Sequence, residues 1–428
     1  MKYEDVLEFI HSRPRIPKVP SLDCMKKLMN KLGNPQNKLK FVHIAGTNGK
    51  GSCAAMLSNI LKEAGYTVGL NISPYIITFC ERIQVNGQMI TKRELAKFGK
   101  IVMNASLEMK KNNEGTPKEF EIVTAIAFLY YEYKKCDIVC LEVGLGGRFD
   151  ATNIISDTLV SCIMKIGLDH TSILGNTKKE IAFEKSGIIK EKSCVVNYPL
   201  QDKEVDLVIS ETAKKQKSKL ITPQLEDIKR YKGDVLYNKI NYGGYEVLLP
   251  FIGKHQALNA SVVIETALYL DSVGYSISDD AIIDGIENTR FPSRIEIINN
   301  EPLIILDGCH NEDSVDALCD VLDKIKNKKI IAIIGMLSEK KPEYILEKFK
   351  KYFNKVYTVD INNPRAMKNK ELYKIADNIF DSVIMANNLE VALKKAKKEL
   401  NKDTMLCICG SLYLTSEIKK LITNKHLI

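Results

Sequence analysis

The stretch from residue 41 to residue 65, FVHIA-GTNGKGS-CAAMLSNILKEAG, decides the fold of this chain. Its β-branched start predicts a buried strand, and the apolar spacing from Ser52 to Ala64 predicts a helix. The glycines between them let backbone N–H groups close on phosphate oxygens, and the helix N-terminus adds partial positive charge. Lys50 is placed to reach the β and γ phosphates of a nucleotide. The stretch therefore predicts a phosphate loop with nucleotide contacts from Thr47, Asn48, Gly49, Lys50, Gly51 and Ser52.

This loop departs from the common phosphate-loop pattern in two places. Counting back from Gly49, the first required glycine falls on Ile44, and Gly51 stands between Lys50 and Ser52. The strand before the loop, the helix after it and the lysine still favour nucleotide binding over a simple tight turn.

Short β-branched runs alternate with helix-length segments on both sides of this stretch. The runs are FVHIA, DIVCLEV, TLVSCIM and SCVVNY, and one intervening segment is 119–133. The alternation predicts an α/β fold, with a largely parallel sheet and helices on both faces. Between Asp234 and Leu249, two strand-like runs flank Asn-Tyr-Gly-Gly at 241–244, which predicts an antiparallel hairpin added to that sheet. A long helix over about 255–273 follows.

A second strand and helix series begins after the turn-prone stretch FPSR at 291–294. Its predicted strands are LIILD, KIIAIIG, KVYTVD, SVIMA and MLCIC, and its helices are predicted to begin near Asn311, Lys341, Lys368 and Asn388. This series predicts a separate, smaller, doubly wound Rossmann-like domain. We place the boundary at about residue 293, which gives domains 1–293 and 294–428.

The composition is that of an ordinary globular protein. The 428 residues are 45% hydrophobic and 27% charged, which argues against disorder, collagen and a membrane protein. The start MKYEDVLEFIHSRPR carries acids where a secretory signal has a basic region and an apolar run. Apolar stretches such as 330–337 are far shorter than the ~20 residues of a spanning helix. We expect a cytoplasmic protein without membrane association.

The charge and the cysteines argue against two further classes. Sixty-two basic against 53 acidic residues give a net charge of +9, but the lysines are dispersed rather than gathered with stacking aromatics. No nucleic-acid partner is therefore expected. Eleven cysteines lie mostly in apolar runs and lack the paired spacing of a zinc site, so we expect reduced thiols and no metal on cysteine.

The motifs along the chain resemble one known family. GTNGKGS is similar to the phosphate loop of the Mur ligase superfamily, specifically of folylpolyglutamate synthases and dihydrofolate synthases. The resemblance continues in the family's order through NISPYI, ERIQVNG, LEVGLGGRFDATN, GLDHTSILGNT, IAFEKSGIIK, GKHQALNAS, FPSRIEII, LDGCHN and CGSLYL. It implies an α/β, Mur-ligase-like ATP-binding domain that contains the phosphate loop, followed by the smaller Rossmann-like domain.

Three residues of the first domain are candidate magnesium ligands. Glu142 ends an apolar strand beside a glycine-rich loop, where an ATP-bound Mg²⁺ needs an oxygen ligand; a capping or surface acid is the alternative. Ser73 by itself is a turn serine, and the resemblance implies that it is a magnesium ligand. His170 by itself is a hydrogen-bonded loop histidine, and the resemblance implies that it binds a second Mg²⁺.

The resemblance also implies roles for residues that no spacing argument identifies. Lys185 lies in a helix-like segment where lysine is normally solvated, and the resemblance implies that it is carbamylated and supports the magnesium site. Asn259, Arg294 and Asp307 match positions that contact ATP across the domain cleft in the family. His310 is expected near the incoming amino acid, and we group it with Lys50 and Lys185 as catalytic. Helix capping is the alternative for Asp307 and Asn311.

The implied reaction is the ATP-dependent addition of L-glutamate to the terminal carboxylate of a folate. The γ-phosphoryl group passes to that carboxylate, and the amine of glutamate attacks the acyl phosphate. This chain has Ser-Pro-Tyr-Ile at 73–76 where the family often has Ser-Pro-His-Leu, in a region beside the acceptor. Tyr75 is therefore a candidate substrate-binding residue, and the acceptor stays open between folate, dihydropteroate and both.

Other functions remain as alternatives at this point. Another Mur-superfamily amino-acid ligase shares the ATP site and differs in its acceptor. A P-loop nucleotide switch or kinase uses the nucleotide without forming an amide. A lysine-rich nucleic-acid-binding protein predicts salt-sensitive oligonucleotide binding. We expect a monomer, because no heptad series indicates association.

Overall fold

The computed structural model describes residues 2–14, 20–230 and 238–425. The α-helices within these ranges are α1 (Tyr3–His11), α2 (Asp23–Lys31), α3 (Lys50–Glu63), α4 (Lys92–Lys111), α5 (Glu119–Tyr133), α6 (Thr171–Leu174), α7 (Lys178–Ser186), α8 (Lys203–Lys215), α9 (Lys254–Ser272), α10 (Asp279–Glu287), α11 (Glu312–Leu322), α12 (Pro342–Phe349), α13 (Asn369–Asp377), α14 (Leu389–Lys398) and α15 (Leu412–Lys425).

The strands alternate with these helices along most of the chain. They are β1 (Phe41–Ala45), β2 (Val68–Asn71), β3 (Ile83–Val85), β4 (Gln88–Met89), β5 (Ile138–Glu142), β6 (Thr158–Ile163), β7 (Cys194–Asn197), β8 (Lys219–Ile221), β9 (Ile228–Arg230), β10 (Asn238–Tyr242), β11 (Tyr245–Leu249), β12 (Glu296–Asn300), β13 (Leu303–Leu306), β14 (Lys329–Ile334), β15 (Phe353–Thr358), β16 (Val383–Met385) and β17 (Thr404–Cys409).

The chain divides into two compact units. The first comprises the described residues within Met1–Lys229, Asn241–Val247 and Leu258–Thr289. The second comprises those within Arg230–Ile240, Leu248–Ala257 and Arg290–Ile428.

The first unit is built on an eight-stranded sheet in the order β4-β3-β2-β5-β1-β6-β7-β8. The six strands from β2 to β8 in this order pair in parallel, while β3 and β4 are antiparallel additions at one edge. Every residue of β1 is buried, as expected for a strand covered on both faces. In the register, Ile44 of β1 faces Glu142 of β5 and Cys162 of β6. The carboxyl ends of these three strands therefore meet at one edge of the sheet, where ligands bind in such folds.

Two hydrophobic clusters cover the faces of this sheet. One joins α1, α2, α4 and α5 to β1 and β5, with Phe41, Phe128 and Tyr131 among its largest buried side chains. The other joins α7 and α8 to β6 and β7. Helix α3 packs against α10 so closely that a Cβ atom on Gly285 would lie 2.5 Å from Ile60 Cα. The predicted parallel sheet with helices on both faces is confirmed.

The prediction for the 234–249 hairpin was wrong in one respect. Strands β10 and β11 do flank the turn at Gly243 and Gly244, but they pair with β9 in a separate three-stranded sheet, in the order β11-β10-β9. The predicted start at 234–237 lies outside the described residues. The alternating burial of β10 indicates a half-buried ribbon, and such a pattern does not identify the sheet that a hairpin joins.

The second unit has a six-stranded sheet in the order β12-β13-β17-β14-β15-β16. All its pairs are parallel except that of β12 with β13. Apolar clusters lie on both faces, which confirms the doubly wound prediction. The four predicted helix starts, Asn311, Lys341, Lys368 and Asn388, are the N-cap residues of α11 to α14.

Within the described ranges, no helix is both long enough and apolar enough to span a bilayer.

Candidate functional site

The phosphate loop connects β1 to α3 at the carboxyl edge of the first sheet. Gly49 caps α3 with φ +87°, a left-handed conformation that favours glycine. A Cβ atom there would lie 2.6 Å from Oδ1 of Asn259, so the fold brings Asn259 directly against the loop. The Thr47 and Asn48 N–H groups donate to the Lys165 carbonyl, at 2.8 and 3.2 Å. These two bonds anchor the loop to the segment after β6. The first turn of α3 has N–H groups without intrahelical acceptors, which are available to an anion.

Two lysines converge on one carbonyl of this loop. Lys50 Nζ donates to the Gly46 carbonyl at 3.0 Å and to the Thr47 carbonyl at 3.2 Å. Lys185 Nζ donates to the same Gly46 carbonyl at 2.9 Å. The phosphate-loop motif predicted a role for Lys50, the family resemblance implied one for Lys185, and the fold brings together these two residues that are 135 positions apart.

The Lys185 ammonium lies in an environment that disfavours its charge. Its side chain is buried, although a lysine in a helix normally reaches solvent. Burial, together with the nearby Lys50 charge, lowers the pKa of Lys185 to about 7, and Asp169 and Asp150 oppose the shift. A large fraction of the Lys185 side chains therefore carries a neutral amine at neutral pH.

The glycine-rich loop after β5 holds the helix that carries Lys185. A Cβ atom on Gly147 would lie 2.8 Å from the Glu184 and Lys185 carbonyl oxygens, so this position admits only glycine. The Arg148 N–H donates to the Glu184 carbonyl at 2.8 Å, and the Arg148 guanidinium lies 4.0 Å from the centre of the Phe183 ring. The loop thus fixes α7 through its backbone.

A buried hydrogen-bond chain connects this loop to β1. Asp150 Oδ2 accepts from the Leu145 N–H, and Asp150 Oδ1 accepts from the Thr152 N–H and hydroxyl at 3.0 and 2.6 Å. Because the Thr152 hydroxyl donates to Asp150, His43 Nε2 is the donor in its 2.8 Å contact with Thr152 Oγ1. Burial keeps the pKa of His43 well below its usual value, so the ring is neutral.

Sequence reasoning missed this chain of residues. His43 is a polar residue in the otherwise apolar run FVHIA, and a buried polar group requires a partner. That signal indicated an internal contact but did not identify Asp150 or Thr152 as the partners.

Glu142 and Ser73 meet at the same edge of the sheet. Glu142 is buried at the end of β5, and its Oε2 accepts a 2.7 Å hydrogen bond from the Ser73 N–H. Position at the strand end beside β1 was predicted for Glu142 and is found. A carboxylate and a hydroxyl-bearing residue therefore lie side by side at this edge, and their oxygens are hard donors.

His170 occupies an exposed position on a neighbouring loop. It is the N-cap residue of the short α6, with a left-handed φ of +51°, and its N–H donates to Asp169 Oδ1 at 2.9 Å. The charge of Asp169 acts on Lys185, so this loop is adjacent to the two lysines. No cluster of three or more His, Cys, Asp or Glu side chains with metal-binding geometry occurs in the described residues.

Tyr75 lies in a loop that Glu81 orders. The Glu81 carboxylate accepts from the N–H groups of Ile76, Ile77 and Thr78, each at 2.7 Å. The Tyr75 and Phe79 ring centres are 5.7 Å apart, and the Arg82 guanidinium lies 5.3 Å from the Tyr75 centre. This arrangement offers an aromatic surface and a cation two residues beyond Ser73.

The predicted residues of the second unit gather after β13. Asp307 is buried and accepts from the Ile295 N–H at 2.8 Å and the Cys309 N–H at 2.9 Å. Burial raises the pKa of Asp307, while Arg294 acts against that shift. His310 Nδ1 lies 2.8 Å from the Gly308 carbonyl, which places it in the same loop.

Helix capping was the alternative role for Asp307 and Asn311, and the structure shows it for Asn311 but not for Asp307. Asn311 caps α11, since its Oδ1 accepts from the Ser314 N–H at 3.0 Å. Asp307 does not cap the helix; its carboxylate instead ties the 293–295 loop to the end of β13.

Comparisons with known proteins agree with this geometry. A profile described as "Mur ligase middle domain" matches residues 44–267, and one described as "Mur ligase, glutamate ligase domain" matches residues 293–412. These matches define the class as a Mur ligase. The chain is 35% identical over 98% of both chains to a dihydrofolate synthase/folylpolyglutamate synthase of Bacillus subtilis.

Solved structures of the same kind superpose on nearly the whole chain. A folylpolyglutamate synthase from Thermotoga maritima has a TM-score of 0.86 and 33% identity, covering 99% of this chain and 97% of its own. One from Mycobacterium tuberculosis, complexed with ADP and AMPPCP, has a TM-score of 0.89 and 26% identity, covering 99% and 98%. The chain belongs to the folylpolyglutamate synthase and dihydrofolate synthase family of Mur ligases. The resemblance and the Mur-ligase-like α/β fold predicted from the sequence are confirmed.

Proposed function

We propose that this protein is an ATP-dependent ligase that adds L-glutamate to the terminal carboxylate of a folate through an acyl phosphate. The observation that carries the proposal is the convergence of Lys50, Lys185 and Glu142 on the phosphate loop. The Lys50 cation and the Glu142 carboxylate beside a helix N-terminus suit a phosphoryl group in transfer, and the Lys185 amine contacts the same Gly46 carbonyl as Lys50. Membership of the family supports the same reaction.

ATP is the proposed phosphoryl donor. The loop residues Thr47 to Ser52 and the adjacent Asn259 form the proposed contacts of the first unit, and Arg294 and Asp307 are those of the second. The Mycobacterium tuberculosis relative was solved with ADP and with AMPPCP, which supports a nucleotide at the corresponding loop. The two sets of contacts belong to the proposed domains 1–293 and 294–428.

The residues at the sheet edge fit a magnesium ion. Mg²⁺ in nucleotide enzymes is commonly held by one or two carboxylates together with phosphate oxygens. Glu142 and Ser73 would hold one ion, and His170 would contribute to a second; such an ion would neutralise charge on the phosphates.

Lys185 fits the proposed carbamylation. A carbamate forms from a neutral amine and carbon dioxide, and a pKa of about 7 supplies that amine at physiological pH. The modification would place an anion beside the Lys50 cation, where a protonated Lys185 would be repelled.

The remaining steps are assigned to residues of this chain. Lys50 offsets charge on the transferring phosphoryl group, and His310 is proposed to lie near the glutamate amine. Tyr75, with Phe79 and Arg82 beside it, is proposed to contact the acceptor. A structure of the Escherichia coli relative, at 25% identity, holds DHPP and ADP, and the Bacillus subtilis relative carries both activities in its name. We therefore propose dihydropteroate as a second acceptor. We also propose that the protein is a cytoplasmic monomer.

Phosphate release from Mg²⁺-ATP tests this function. The assay compares tetrahydrofolate, dihydropteroate and no acceptor, each with and without L-glutamate, and mass spectrometry follows the pterin compounds. We expect release that requires glutamate and an acceptor, and a product heavier by one glutamyl residue. Release that ignores both would overturn the proposal and favour a nucleotide switch or kinase.

A further inference from the structure

A basic groove on the first unit lies outside the site described above. It has a volume of about 540 Å³ and lies between the start of α1 and the first turns of α4. Its cations are Lys2, Lys92, Arg93, Lys97 and Lys100. Among the described residues that line it, Glu4 carries the single carboxylate.

Three cations of the groove lie on one face of α4. Arg93, Lys97 and Lys100 lie at positions i, i+4 and i+7 of α4, which places them on one helix face, where like charges repel. In the part of the chain that the structure describes, no carboxylate lies within ion-pairing distance of these three groups, whereas Glu94 of the same helix pairs with Lys134. Such a concentration of positive charge attracts an anionic ligand.

Aromatic rings hold two of these ammonium groups in place. Lys92 Nζ lies 5.1 Å from the centre of the Tyr3 ring, and Lys97 Nζ lies 4.2 Å from that of Tyr133. Cation–π contacts fix a charge without neutralising it. The groove therefore keeps its full positive charge while its side chains are partly ordered.

A continuous series of contacts joins the groove to the phosphate loop edge. Tyr3 packs against the hydrophobic cluster that includes Phe79 and Cys80. The Phe79 ring in turn contacts that of Tyr75. The loop of Tyr75 begins at Ser73, whose N–H donates a hydrogen bond to the Glu142 carboxylate. The groove thus lies at the outer end of the surface that we assign to the acceptor.

The proposed reaction makes a polyanion of suitable form. A glutamate that is extended at its γ-carboxylate keeps a free α-carboxylate, so a γ-linked chain gains one negative charge with each unit. Because the reacting end must stay at the phosphate loop, every added unit pushes the earlier units outward, by at least the roughly 3.5 Å of an extended peptide residue. The earlier α-carboxylates then move along the Tyr75 loop toward the groove.

We propose that the α1 and α4 groove binds the α-carboxylates of the γ-glutamyl tail of long-chain folates. This inference rests on the proposed function, since it concerns the acceptor of the same reaction. The groove would act on acceptors with several glutamates and leave the monoglutamate unaffected, so it would help to set the length of the product chains. Because its cations are exposed, the effect is expected to weaken with salt.

The test compares two acceptors in two matched variants. Lys97→Ala/Lys100→Ala removes two groove cations, and Lys395→Ala/Lys398→Ala removes two exposed lysines with the same spacing on α14. For tetrahydrofolate pentaglutamate, we expect the groove variant to raise KM about ten-fold, and 0.5 M KCl to abolish the difference. For the monoglutamate, KM should stay within two-fold, and the α14 variant should match the wild type. Equal shifts for both acceptors, or none for the pentaglutamate, would overturn the inference.

A binding measurement separates this inference from the proposed function. Isothermal titration with penta-γ-L-glutamate, at constant ionic strength, needs no turnover. We expect the groove variant to weaken binding at least five-fold relative to the wild type and the α14 variant. If inorganic phosphate added at constant ionic strength abolished binding of the peptide, the groove would be a diffuse positive surface, and the tail site would be refuted. A wild type that binds the peptide at Lys97 and Lys100 but ligates no folate would refute the proposed function alone.

Discussion

The Gly46 carbonyl is the point where two cationic side chains meet. Lys50 comes from the first turn of α3 and Lys185 from the last turn of α7, so the pair depends on tertiary structure. Two ammonium groups on one acceptor repel each other unless one is neutral or an anion joins them. The lowered pKa of Lys185 is the response of the resting protein, and nucleotide phosphates would supply the anion.

Replacing Lys50 tests the phosphate loop at the residue scale. We expect Lys50→Ala to lower kcat at least 10³-fold, because a charge that stabilises the transferring phosphoryl group is lost. The melting temperature should change little, since the Lys50 head group is only partly buried. Lys62→Ala, on the exposed side of the same helix, is the control and should keep normal activity. Near-normal turnover of Lys50→Ala would remove this lysine from the mechanism.

The buried amine of Lys185 predicts a pH-dependent stability. Its pKa is about 7 in the folded protein and 10.5 when unfolded, so between these values the unfolded chain binds more protons. Stability therefore rises with pH across this window, by up to about 5 kcal/mol, and the penalty is fully present below pH 7. We expect Lys185→Met to melt higher than the wild type at pH 6, in buffer free of carbon dioxide.

The comparison of melting temperatures from pH 6 to pH 10 checks this prediction. The advantage of Lys185→Met should shrink as the pH rises above 7, because the folded amine is then neutral and protonation favours the unfolded chain less and less as the pH approaches 10.5. A difference that stays constant with pH would show that Lys185 is not held as a neutral amine.

Residues at strand ends could be predicted from the sequence, and buried helix residues could not. Glu142 ends an apolar run, so its position beside β1 followed from the parallel sheet alone. The burial of Lys185 depends on the backbone of the 144–148 loop, which packs against α7 from a distant part of the chain. Helical spacing alone puts a lysine in solvent, and family resemblance was the reason to name it.

At the scale of elements, the glycine-rich loop and α7 act as one support for the site. Gly147 gives the closest approach, and Arg148 adds a backbone hydrogen bond to the last turn of α7. Asp150 then ties the same loop to β1 through Thr152 and His43. The position of Lys185 relative to the phosphate loop is therefore set by backbone contacts.

Gly147→Ala tests this support. The added Cβ atom would lie 2.8 Å from two carbonyl oxygens of α7, so the helix must move and carry Lys185 with it. We expect kcat to fall at least 10²-fold in steady-state assays, because misplacement by about 1 Å has effects of that size. Gly274→Ala is the control: its Cβ atom would meet no atom within 4 Å, although its φ of +102° strains the turn. If both variants lost stability and kept activity, the loop would have no positioning role.

The loop after β13 depends on one carboxylate in the second unit. Asp307→Ala would leave the Ile295 and Cys309 N–H groups without their acceptor in a buried place. We expect a loss of about 2 to 4 kcal/mol in the free energy of unfolding, measured with urea on the full chain. Asp307→Asn, which keeps an acceptor, should lose less, and the exposed Asp381→Ala should lose almost nothing. An unchanged midpoint for Asp307→Ala would contradict the role of this carboxylate in the loop.

Elements with strong local signals were predicted closely. The helix over 119–133 and the N-caps Asn311 and Asn388 appear where the sequence placed them. Two antiparallel elements were missed. The β3 and β4 hairpin has the Asn86-Gly87 turn, with both φ angles positive, which is a known hairpin signal. Strand β12 follows directly on a turn-prone stretch, and its partly exposed, polar residues hid it.

At the scale of the whole molecule, the order of motifs carried more than any single motif. The phosphate loop departs from the common pattern, yet the series from residue 40 to residue 415 gave the family, and relatives match over 98% of the chain. The pairing of distant residues could not be read in this way, because the burial of His43 and Lys185 arises only once both sheet faces are covered.

Oxygen-18 transfer tests the central claim most directly. Tetrahydrofolate labelled with ¹⁸O in its terminal carboxylate is incubated with Mg²⁺-ATP and L-glutamate, and the phosphate and folate products are analysed by mass spectrometry. Activation as an acyl phosphate predicts one ¹⁸O atom in the released phosphate for each glutamate added. Two results would contradict ligation through an acyl phosphate. One is glutamate addition with no ¹⁸O in the released phosphate, and the other is release of unlabelled phosphate that continues without glutamate.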